Sequence, residues 1–135
     1  MINYLAVVTG GIINMIIGFL WYGPLFGKKW MKIVGMKQSD MEKTKQGMDK
    51  TYFVSFITAL LMAYVTAHFV YFAGSNDFIS GMSVGFWSWL GFVATTSLSG
   101  YLYTPKEKPA DLYLIDNGYW LVTLMLIAGL MAVWQ

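Results

Sequence analysis

Thr51–Ala73 reads TYFVSFITALLMAYVTAHFVYFA, a run without a single Asp, Glu, Lys or Arg. It is apolar on every side, whereas a strand of a membrane barrel alternates polar and apolar side chains over about 10 residues. Its length is near the ~20 residues a helix needs to cross the hydrocarbon core of a bilayer. Three further runs are similarly long and nearly as apolar: roughly Tyr4 to Tyr22, Ser80 to Tyr103 and Leu112 to Trp134. The expected fold is an all-α membrane protein of four transmembrane helices, one domain over residues 1–135.

The composition agrees. Hydrophobic residues make up 57% of the chain and charged residues 12%, where a soluble domain carries about 25% charged. The mean hydropathy is +0.54. There is no cysteine and one histidine, His68. Disulfides, thiol chemistry and a multi-histidine metal site within one chain are thereby excluded, and no cofactor or metal is expected. The ten methionines are scattered and read as adaptable packing. No phosphate loop, nucleophile elbow or zinc-protease motif is present.

The loops between the runs set a direction. Lysines 28, 29, 32, 37, 43, 45 and 50 lie in the segment 23–50, and lysines 106 and 108 in the segment 104–111. The turn Gly74-Ser75-Asn76-Asp77 has none, and neither terminus has any. Lysine-bearing loops stay in the cytoplasm, so both termini are expected outside, with the first and third helices running inward. This distribution marks topology rather than a nucleic-acid footprint, and no nucleic-acid partner is expected. Met1-Ile2-Asn3-Tyr4 carries no positive charge, so the first run is expected to be a permanent span rather than a signal peptide.

Within the first loop, Gly23-Pro24 is expected to end the first helix, since proline cannot donate to the helical ladder. Pro24 to Met36 then mixes Leu25, Phe26, Trp30, Ile33 and Val34 with Lys28, Lys29 and Lys32. That pattern suits a short amphipathic helix on anionic headgroups, with Lys28, Lys29, Trp30 and Lys32 as the lipid contacts. Ser39 and Glu42 form a capping-box pattern before the second span. Tyr101 and Tyr103 read as interfacial aromatics, as do Trp21 and Tyr22. Gly18-Phe19-Leu20-Trp21 before Pro24 echoes Gly100-Tyr101-Leu102-Tyr103 before Pro105. The echo is either a repeat of two hairpins related by an axis along the membrane normal or the ordinary composition of inner helix ends.

Small residues mark where helices approach in lipid: Gly10, Asn14 and Gly18 on the first span; Ser55, Ala59, Ala63 and Ala67 on the second; Gly81, Gly85, Ser88, Thr95 and Ser99 on the third; Gly118, Gly129 and Ala132 on the fourth.

An ionisable residue inside a membrane span is a functional candidate. At ~1.5 Å of rise per residue, Asp116 lies about 6 Å beyond Leu112, near the inner surface. His68 lies about 25 Å beyond Thr51, near the outer one. A His–Asp dyad within one chain is therefore not expected. Asp116 with Asn117, Tyr22, Thr95, Thr96 and Ser99 forms a candidate polar pocket, for binding or for handling protons. The same aspartate also suits a plainer role, snorkelling or bonding hydroxyls to fix the third helix against the fourth. Asn14, nearer mid-membrane, suits an interhelical hydrogen bond or a pore lining.

Trp21-Tyr22-Gly23-Pro24-Leu25-Phe26-Gly27-Lys28-Lys29-Trp30-Met31 resembles the signature of a family of small bacterial and archaeal four-helix membrane proteins, catalogued only as a domain of unknown function. Trp89-Leu90-Gly91-Phe92-Val93-Ala94-Thr95-Thr96 is similar to its third helix, Leu112 through Tyr119 to the start of its fourth, and Trp134 to its terminal tryptophan. The resemblance implies the four-helix topology and a bacterial or archaeal cytoplasmic membrane. It implies no reaction.

Three functional readings follow. The first is a non-enzymatic structural or accessory component, forming a homo-oligomer or joining a larger membrane complex. The second is a small oligomeric transporter or channel with a polar site near the cytoplasmic side. The third is a binder of lipid or another hydrophobic ligand. An enzyme is not expected, because Glu107, Asp111 and Asp116 are acids without a histidine or arginine beside them.

Overall fold

The computed structural model describes residues 2–37, 39–40, 48–103 and 110–135. Lysines 43, 45, 106 and 108, Glu107, and Glu42 of the expected Ser39–Glu42 cap lie outside the described residues. Helix α1 covers Tyr4–Leu20 and runs on into a π turn, Trp21–Leu25. The short α2 covers Gly27–Val34, and α3 covers Met48–Phe72. Helix α4 (Phe78–Ser88) passes through a second π turn (Trp89–Ala94) into α5 (Thr95–Leu102), and α6 covers Ala110–Val133. Among the described residues there is no strand. Four helices are long and apolar enough to span a membrane: Tyr4–Leu25, Met48–Phe72, Phe78–Leu102 and Ala110–Val133. The chain is a multi-pass membrane protein.

Local chemistry places the helix ends. The Asn3 side chain accepts from the amides of Leu5 (3.0 Å) and Ala6 (3.2 Å), starting α1 as an N-cap does. Asp77 starts α4 with a capping box: the Ser80 amide donates to Asp77 Oδ1 at 2.9 Å, and the Asp77 amide to Ser80 Oγ at 3.4 Å. Gly74, at φ 68°, closes α3, and the Ser75 amide reaches back to the Val70 carbonyl at 3.2 Å.

Pro24 does not end the first helix, contrary to the expectation above. The chain passes it in a π turn, in which the Phe26 amide bonds the Trp21 carbonyl at 2.8 Å. Five-residue spacing tolerates the missing proline donor, so the helix ends at Phe26. The expected amphipathic helix follows at once as α2, with Lys28, Lys29 and Lys32 exposed. Gly27 permits the turn, since a Cβ there would stand 2.5 Å from the Tyr22 carbonyl oxygen.

The fourth span is the axis of the bundle. Half of its apolar window is buried, against 17% for the third span. At the end that holds the described chain ends, small side chains let backbones meet. Ala6, Ala63, Ala67, Val70, Ile127, Ala128, Met131 and Ala132 belong to one core, with Ile2 and Trp134 packed on it. The Gln135 side chain donates to the Ser75 carbonyl at 2.8 Å, tying the end of the fourth span to the α3–α4 turn. Leu5, Ile12, Phe53, Leu61, Ile79, Phe92 and Leu114 are exposed on the four spans, as a lipid-facing surface requires.

Candidate functional site

The polar groups gather at the other end of the bundle, beneath α2. Asp116 sits in the second turn of α6, and both of its carboxyl oxygens accept hydrogen bonds. The Tyr22 hydroxyl donates to Oδ1 at 2.7 Å, and the Tyr101 hydroxyl donates to Oδ2 at 2.6 Å. One carboxyl group thus joins the first, third and fourth spans. Among the described residues, the one ion pair is Lys29 with Asp111 (3.5 Å), exposed on both sides, and no cation is paired with Asp116.

Two tryptophans frame this acid from opposite sides. The Trp21 indole donates to the Ile115 carbonyl at 2.8 Å, and the Trp89 indole to the Asn117 carbonyl at 2.9 Å. Each tryptophan opens a π turn, as Trp21-Tyr22-Gly23 and Trp89-Leu90-Gly91. The two π turns therefore grip α6 one residue either side of Asp116. This likeness falls on Trp21 and Trp89, not on the expected echo between Gly18–Trp21 and Gly100–Tyr103. Two hairpins related by a two-fold axis would send one indole to α3, whereas both go to α6.

A cavity of about 560 Å³ opens beside the acid. Its walls are Tyr22 of the first π turn, Trp30 and Met31 of α2, Ser97 and Tyr101 of α5, and Asp116, Asn117 and Trp120 of α6. Asn117 is 2% exposed. Its Nδ2 donates to the Tyr113 carbonyl at 3.0 Å, while its Oδ1 meets no donor. A buried acceptor left unmet costs of order 1–3 kcal/mol, and this oxygen has almost no surface of its own exposed to the cavity.

Of the residues named from sequence, Asp116, Asn117 and Tyr22 come together here. Thr95, Thr96 and Ser99 do not. All are exposed, and their hydroxyls bond carbonyls of their own helix, at Gly91, Phe92 and Thr95. The π turn Trp89–Ala94 explains the displacement: its wider turn delays the helix rotation, so the inward face beyond it carries Ala94, Ser97 and Tyr101. Trp30 is half-buried against the cavity, 6.0 Å edge-on from the Tyr22 ring.

Asn14 lies elsewhere, in a separate cavity of about 340 Å³ between α1, α3 and α6. The Tyr119 hydroxyl is hydrogen-bonded to Asn14 Oδ1 and lies 3.1 Å from the Asn14 carbonyl. Asn14 Nδ2 faces Met62 Sδ at 3.7 Å. The Tyr119 ring in turn packs 5.5 Å from that of Tyr22, so the two polar places share an aromatic wall. His68 is remote from both; its ring bonds the Tyr64 carbonyl at 2.9 Å and packs on Tyr64 and Phe72.

Sequence reasoning missed Tyr101, Ser97 and Trp120 as site residues. Helical spacing held the signal. Trp120 lies four residues after Asp116, and Tyr101 four after Ser97, which places each pair on one helix face.

A family model described as a protein of unknown function (DUF1761) matches residues 5–132, taking in all four spans. The chain belongs to the DUF1761 family. No curated protein and no solved structure matches it. Within this DUF1761 chain, the segments around Trp21, Trp89 and Asp116 are separate in sequence and meet around one cavity.

Proposed function

We propose that the chain is a non-enzymatic membrane protein that binds a small solute in the Asp116 cavity, as a small carrier or channel does. One observation carries this reading: a 560 Å³ cavity, walled by four aromatic rings with Ser97 and Asn117, opens beside a carboxyl group that has no described cation. The volume lies within the ~300–1,000 Å³ of small-molecule sites. An aspartate that only pinned helices would be expected in a closed seam, like the glycine seam at the other end.

The proposal includes a setting. The lysines support an orientation with α2 on the cytoplasmic side and both termini outside, and the family resemblance suits a bacterial or archaeal cytoplasmic membrane. The exposed Lys28 and Lys32 then meet anionic headgroups. Association with a second copy or another membrane subunit would use the third span, the least covered of the four. Intact mass after gentle extraction reads that stoichiometry.

The chain has no cysteine, so single cysteines report sidedness cleanly. A cysteine at the exposed Lys37 is expected to react from the cytoplasm and one at the exposed Asn76 from outside; the reverse would invert the site. For the function, Asp116→Asn in proteoliposomes should abolish solute-driven or proton flux while leaving the protein folded. Loss of thermal stability with no flux in either protein would instead favour a purely structural role.

A further inference from the structure

We infer that the ligand of this cavity is a protonated organic amine with an aromatic or aliphatic body. The inference rests on the binding reading above and names its ligand class. The acid supplies the charge argument: Asp116 accepts from two hydroxyls and faces no described cation, so the cavity attracts positive charge. The walls supply the second argument. Tyr22, Trp30, Tyr101 and Trp120 present aromatic rings, which stabilise an ammonium group through their π faces. An anion finds no basic side chain among the described walls. A bare metal ion would leave most of the 560 Å³ unused, and no group of three or more His, Cys, Asp or Glu residues occurs among the described residues.

The test uses the full chain in nanodiscs and three probes of one shape: phenethylammonium, its N-trimethyl analogue, and 2-phenylethanol. Binding is read by titration calorimetry and by quenching of tryptophan fluorescence. Phenethylammonium should bind about tenfold or more tighter than the alcohol, as loss of one desolvated cationic contact implies. The trimethyl analogue, which keeps the charge but has no N–H to donate to Asp116, should fall between them. Asp116→Asn should bring phenethylammonium close to the alcohol. Equal binding of amine and alcohol to the unaltered protein would overturn the proposal, and that arm needs no variant to fold. If no amine binds while Asp116-dependent proton or sodium flux persists, the amine inference falls and the binding site stands. If neither is seen, both fall.

Discussion

At the end of the bundle that holds the described chain ends, the spans touch through Gly10, Ala63, Gly81, Gly85, Ala128 and Ala132; at the α2 end they touch through Trp21, Tyr22, Trp89, Tyr101 and Asp116. The first end is closed by backbone approach. A Cβ at Gly81 would lie 2.5 Å from the Ala128 carbonyl oxygen, and one at Gly85 2.5 Å from that of Leu124. The second end is held by hydrogen bonds from large rings, which stand helices apart and leave a cavity of about 560 Å³. Lipid gives helices little hydrophobic reason to associate, so dispersion and interhelical hydrogen bonds carry the work. Here the two means are spatially divided. The small-residue end supplies rigidity, and the aromatic end supplies polarity and room.

The largest expected effect tests the closed end. Gly85→Ala or Gly81→Ala forces the backbones of α4 and α6 apart, and overpacking of this kind costs about 1–3 kcal/mol. Gly91→Ala and Gly100→Ala face open space and should be neutral or slightly stabilising, because glycine weakens a helix interior. Thermal unfolding in detergent compares the four directly. The division between the ends is lost if Gly85→Ala proves as stable as Gly91→Ala.

The next effect is at the aromatic end. Trp21→Phe and Trp89→Phe each remove one indole bond to α6 and leave a smaller aromatic ring, and the lost hydrogen bond alone is worth about 0.5–1.5 kcal/mol. The same unfolding measurement reads it. A loss larger than that of Gly85→Ala would show that the rings, not the glycines, hold the bundle.

The spans were legible because apolar length and lysine position are one-dimensional signals. The small-residue stripes were legible for the same reason: Gly10, Ala63, Gly81 and Gly85 recur at helical spacing and are buried. The candidate site was legible only in part. Asp116, Asn117 and Tyr22 stand out by residue type and depth. Thr95, Thr96 and Ser99 were placed on the wrong face because a regular helical period was carried through Trp89–Ala94, where the helix widens. Tyr101 looked like an interfacial ring, and nothing in its neighbours in sequence shows that its hydroxyl reaches Asp116.

That misplacement yields a smaller and sharper prediction. Thr95→Val and Thr96→Val remove hydroxyls that bond carbonyls already held in the helix ladder. Both should change stability by no more than a few tenths of a kcal/mol, since such back-bonding adds little and can even strain a helix. Both should also leave binding in the Asp116 cavity unchanged. A clear loss of binding with either would return the hydroxyl stripe to the site and close the distinction between the two faces of α5.

The smallest effect lies outside the spans, at Asp77. The Ser80 amide and hydroxyl, bonded to this cap, hold its carboxyl below the ordinary carboxylate value. A depressed carboxyl contributes stability that is complete above its unfolded value and is lost as pH falls through the folded one. The start of α4 should therefore keep its full protection on acidification down to the ordinary carboxylate value, and lose it progressively as pH falls from there through the folded value. Amide exchange at Ile79 and Ser80, referenced to intrinsic rates, reads this locally. Asp77→Asn keeps a good N-cap and removes the charge, so it should flatten the acid dependence while preserving protection near neutrality. Gly81 and Gly85 begin one turn further on, so fraying that spreads past them would show that the glycine seam depends on its cap. Fraying confined to the first turn would show that backbone packing alone holds the closed end.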